Sequence, residues 1–242
     1  MLWIVTFLRF LCINFLVNNK LFYFGVLPAL GFQLVGAYLY FELFKGEDFS
    51  QTIYFVTKIL LVIWPLLWLV AMKRVALPFW KGEMKKSVVW GVLSGVALFL
   101  LILGIYILFA DYLSQFIGNV LEAAKNLNFL EHYILFSIFL SIVHSFIEEY
   151  YWRWFILNGL LVKVGKWAAM IIGSLAFASH HFIVVLQFVP LALAILATFL
   201  IFLLGMFWSY FYLKTKSIIG PWISHFFADA IIMGLGYFLI FN

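Results

Sequence analysis

Eight ionisable side chains fall within apolar stretches where a charge is costly. They are His144, Glu148, Glu149, Arg153, His180, His181, His225 and Asp229. A charge at the centre of a bilayer costs about 2.5–3.5 kcal/mol on insertion scales. Groups kept at that cost line a pathway or an active site, or else form a buried ion-pair network that fixes helix packing. Helical spacing says which of them can meet. Glu149 and Arg153 are i and i+4, with the acid first, so they can pair on one helix face as a structural unit. Glu148 is rotated about 100° from Glu149 and faces elsewhere. His144 lies four residues before Glu148 and can share its face, as a partner or as a hydrogen-bonded packing residue. His180 and His181 are adjacent, so only one of them is expected to face Glu148. His225 and Asp229 are i and i+4 and can converge on one point. Gly220-Pro221 suggests a helix start, with proline in the first turn and His225 about one turn inside.

A carboxylate and an imidazole sharing one water form a general-base arrangement. A second histidine beside Asp229 can stabilise a developing oxyanion if it supplies a proton donor. Together these parts suit amide hydrolysis. Serine and cysteine nucleophiles are poorly supported. No Gly-x-Ser-x-Gly stretch occurs, and the single cysteine, Cys12, is remote in sequence. The expected cofactor is none. The metal alternative is a mixed zinc site from His144, Glu148, His181 and His225, although the spacing is not His-Glu-x-x-His.

The elements that must hold these groups are membrane helices. The chain has 242 residues, of which 67% are hydrophobic, 21% aromatic and 10% charged. A water-soluble core could not hide that much apolar surface, so the expected fold is an all-α, polytopic membrane bundle. About eight segments qualify: 2–18, 21–43, 52–72, 87–110, 132–161, 167–187, 190–213 and 218–241. The first is short and carries Arg9 and Asn14, so an interfacial helix is its alternative. Apart from Glu42 at the end of segment two, Lys58 is the one charged residue inside segments two to four, and snorkelling to the interface is its expected fate. Residues 112–130 place apolar positions at helical spacing, as in an amphipathic helix on the outer interface. The N-terminus lacks a basic leader and a small-residue cleavage site, so it does not read as a removable signal peptide.

Positive loops alternate with negative or neutral ones along the chain, which marks membrane topology. Both termini are non-cytoplasmic if all eight segments cross. The net charge of +5 lies at span ends, so no nucleic-acid partner is expected. The expected organisation is a single integral membrane domain, 1–242. Within it, 1–130 supplies N-terminal spans and the interfacial helix, and 131–242 a catalytic four-helix core.

Three motifs stand in order: Glu148-Glu149-x-x-x-Arg153, Phe177-x-x-x-His181 and His225-x-x-x-Asp229. The set resembles the CAAX protease and bacteriocin-processing family (CPBP, or Abi), over about residues 140–235. The resemblance implies a glutamic-type intramembrane endopeptidase. Glu148 with His181 would activate water, and His225 with Asp229 would stabilise the oxyanion. Glu149 and Arg153 would be structural or would assist the site, with His144 and His180 as supporting candidates. The motif register selects His181, and the doublet keeps His180 open.

Two departures bear on the substrate. Trp154 stands where many members have glycine. Asp229 stands where prenyl-protein enzymes have asparagine, and an ionised aspartate cannot donate to an oxyanion. A bacterial processing or immunity role in a prokaryotic cell membrane is therefore favoured over a prenylated substrate. Trp152, Trp154 and Phe155 would shape a substrate groove or simply pack. The implied partner is a membrane-associated protein or peptide in the lipid bilayer. The competing readings are a non-catalytic bacteriocin-immunity or partner-binding membrane protein, and a proton-coupled transporter. The absence of inverted repeats argues against the last.

Overall fold

The computed structural model describes residues 19–47, 49–71, 82–126 and 130–241. Eight helices carry the described chain, and no strand occurs among these residues. They are α1 (Leu21–Leu43), α2 (Ser50–Ala71), α3 (Met84–Ser114), α4 (Ile117–Asn126), α5 (Leu130–Val164), α6 (Lys166–Leu186), α7 (Leu191–Thr215) and α8 (Ile219–Phe241). All except α4 are long and apolar enough to cross a membrane. The chain is an integral, multi-pass membrane protein with the expected all-α architecture. The candidate segment 2–18 lies outside the described residues, and the other seven candidates each correspond to one helix.

The bundle is apolar on the outside and polar within. Leu108 is 78% and Leu135 69% exposed, whereas Glu149 and Arg153 are buried. Lipid can solvate the outer side chains, so helices associate through close packing and polar contacts instead of burying apolar surface from water.

Helix α5 occupies the middle. It contains two π-helical stretches, Phe139–His144 and Tyr150–Leu157, on either side of the α-helical turn Ser145–Glu149. Short π-helical insertions recur at functional sites. Every residue from Tyr150 to Leu157 is buried. Trp154 stacks on Tyr150, with ring centroids 5.1 Å apart. Trp152, Trp154 and Phe155 belong to the packed core, as in the packing alternative. The Tyr151 hydroxyl donates to Ala29 O on α1 at 2.6 Å.

The approach of α3 to α8 sets the depth of the third motif. A Cβ at Gly91 would run into the backbone of Gly220, and one at Gly95 into the Phe227 ring. Small residues therefore permit this contact. The Gly220 amide donates to Ser87 Oγ at 2.9 Å, holding the start of α8 against α3. Pro221 lies in the first turn of α8, as expected, and costs no helical hydrogen bond there. The amphipathic stretch resolves into the separate ten-residue helix α4, while residues up to Ser114 complete α3.

Candidate active site

Three helices bring the motif residues together. Helix α5 supplies His144, Glu148, Glu149 and Arg153, α6 supplies His180 and His181, and α8 supplies His225 and Asp229. Glu149 and Arg153 form the expected pair. Arg153 Nε lies 3.1 Å from Glu149 Oε2, and Arg153 Nη2 donates to Oε1 at 3.3 Å. The guanidinium also sits over the Phe177 ring, 4.8 Å from its centroid. Glu149 has a further partner on another helix, because His225 Nδ1 lies 3.0 Å from its Oε1. A carboxylate only accepts when ionised, so Nδ1 is the donor in that bond.

Glu148 faces a ring of histidines. It is 2% exposed. Its Oε1 lies 3.3 Å from His144 Nε2 and 3.4 Å from His180 Nε2, and its Oε2 lies 3.8 Å from His225 Nε2. None of these contacts has hydrogen-bond geometry at Oε1, which remains a buried acceptor without a donor. His225 Nε2 is also 3.6 Å from Asp229 Oδ1. Asp229 is the open edge of the group, its side chain 25% exposed.

Both members of the histidine doublet stand beside Glu148, contrary to the expectation that only one would. His181 Nδ1 donates to Phe177 O at 2.9 Å, one turn back along α6. That bond folds the ring toward the N-terminal end of the helix and into the layer of His180. The two imidazole centroids are 4.0 Å apart. Two rings are held by stacking: Trp208 covers His225 at 4.4 Å and 19°, and Trp152 lies parallel to His180 at 6.1 Å.

Glu148, His180 and His181 offer atoms within 4.8 Å of one another, close enough to share a metal ion. This set differs from the zinc set read from the sequence, with His180 replacing His144 and His225.

Lys58 is a member that sequence spacing did not place here. Its Nζ lies 3.3 Å from His144 Nε2, and it turns into the bundle instead of snorkelling. The acceptor ring on α5 gives the ammonium a partner within reach, so it has no need to bend toward the interface. The signal was its isolation as the one basic residue inside three apolar spans. A groove of about 350 Å³ lies along the contact of α5 with α8, lined by residues including Ser141, Ile142, Phe226, Ala230 and Met233. None of the motif residues lines it.

Residues 130–231 match the family of type II CAAX prenyl endopeptidase Rce1-like proteins. The match agrees with the resemblance carried by the three motifs and supports an intramembrane protease. The Rce1-like segment runs from the start of α5 into α8 and contains all eight motif and supporting residues. Lys58, on α2, lies outside it. No curated protein and no solved structure matches the chain.

Proposed function

We propose that the protein is a glutamic-type intramembrane endopeptidase that hydrolyses a peptide bond of a membrane-associated protein or peptide without a metal. The observation that carries this reading is the buried Glu148 Oε1, surrounded by imidazoles yet without a donor. His181 spends its one Nδ1 proton on Phe177 O, so its Nε2 is an acceptor. A water at this site can give one hydrogen to Glu148 and the other to His181. Its lone pair then points away from both, toward a substrate carbonyl.

The chemistry follows from that placement. Glu148 takes a proton as the water oxygen bonds to the carbonyl carbon, and the carbonyl π pair moves onto its oxygen. His225 donates Nδ1–H to Glu149; as an imidazolium it also presents Nε2–H to the oxyanion. The surrounding Glu148, Glu149 and Asp229 favour that charge. Asp229 serves as counter-charge and orienter of His225, which removes the need for an asparagine donor. Glu148 then returns its proton to the leaving nitrogen as the C–N bond breaks.

The test is a comparison of membranes from cells that express wild type, Glu148→Ala or His181→Ala. New peptide termini are identified by mass spectrometry, with and without a chelator. The reading expects termini that depend on both residues and persist in chelator. Unchanged processing in both variants leaves only a non-catalytic membrane protein. Loss of processing on chelation, restored by zinc, favours the metal alternative.

A further inference from the structure

We propose that Lys58 is a positioning residue for Glu148, acting through His144: it holds the Nε2 lone pair of that imidazole and so keeps the ring from donating to the general base. The inference rests on the reading of Glu148 as general base. It starts from one nitrogen with two claimants. His144 Nε2 lies 3.3 Å from Lys58 Nζ, in hydrogen-bond geometry, and 3.3 Å from Glu148 Oε1, outside it.

An ammonium can only donate. Arg153 is committed to Glu149 by two contacts, and Lys58 is the cation that reaches His144. Carried as an ammonium, it donates to Nε2, which is then unprotonated, and the ring proton of His144 sits on Nδ1. In that tautomer Nε2 has nothing to give an ionised Glu148, which agrees with the donor-free Oε1. The bare imidazole nitrogen has a single in-plane lone pair, and Lys58 holds it. Oε1 of Glu148 therefore stays open to the water it must deprotonate. Without Lys58 the ring is free to protonate at Nε2 and bond to ionised Glu148, which stabilises the ground state instead. Tyr54, under the ammonium at 5.2 Å, helps to hold the lysine in place.

The test reads the tautomer directly. The full-length protein is labelled with ¹⁵N-histidine in lipid nanodiscs, and the His144 signals are identified by their loss in His144→Gln. Wild type is expected to show protonated Nδ1 and bare Nε2. Lys58→Met should move the proton to Nε2, and Lys58→Arg, which keeps a donor, should restore the wild-type pattern. A protonated Nε2 in wild type, or an unchanged tautomer in Lys58→Met, overturns the inference. The second arm follows the rate at which new termini form in membranes. Lys58→Met is expected to slow it about tenfold, the scale of one charge-assisted hydrogen bond, with Lys58→Arg largely recovering it. If Glu148→Gln abolishes processing while Lys58→Met leaves it at wild-type rate, the role of Lys58 fails and the reading of Glu148 stands. If Glu148→Gln processes normally, both fall.

Discussion

Helices α3 and α5 are both long enough to cross a membrane, yet they are held in opposite ways. Between Ser87 and Ala110, α3 carries no charged residue. It is placed by absence: glycines at 91 and 95 let α8 approach, and Ser87 accepts one amide. Helix α5 is placed by presence. Its buried Glu149 binds Arg153 on its own helix and His225 on α8, while Glu148 reaches toward His180 on α6. Small residues set how near two helices lie. Paired charges also set rotation, because a carboxylate turned away from its partner is stranded in an apolar medium. Glu148, the candidate general base, sits on the helix that is expensive to build.

The contrast breaks most sharply at the buried pair. Arg153→Met leaves Glu149 without its cation and should cost about 3–5 kcal/mol, read as a lower unfolding temperature in detergent. The double variant Glu149→Met/Arg153→Leu should recover much of that loss, yet stay inactive because His225 Nδ1 has lost its acceptor. Recovery of processing in the double variant would make the pair purely structural. A smaller effect is expected on α3. Gly91→Val drives a side chain against Gly220 and should cost about 1–3 kcal/mol by overpacking. Smaller again is Trp208→Leu, which removes the ring stacked on His225. The stack itself is worth about 0.5–1.5 kcal/mol, so processing should slow several-fold while the fold persists. Least is expected from Lys86→Ala. Its 2.9 Å contact with Glu83 is at the surface, with both side chains more than half exposed, and should change stability by less than about 1 kcal/mol.

The sequence made much of this legible. Spans could be counted because lipid demands long apolar runs, and the i, i+4 rule anticipated the Glu149–Arg153 pair and the approach of His144 to Glu148. The order of the three motifs pointed to one cluster. Three features lay beyond local spacing. The π-helical stretches of α5 depend on what packs around it. The placement of both His180 and His181 beside Glu148 depends on a ring folding back onto Phe177 O. The turn of Lys58 into the site depends on an acceptor 86 residues away in the chain. Each is a tertiary fact, invisible to periodicity.

The most direct measurement is the processing activity of Glu148→Gln in membranes, alongside its unfolding temperature. The substitution keeps shape and removes the proton acceptor. The account predicts a protein that unfolds close to wild type and loses at least about a hundredfold in rate, the scale of one general base. A correctly folded Glu148→Gln protein that generates the same termini at the wild-type rate would contradict it.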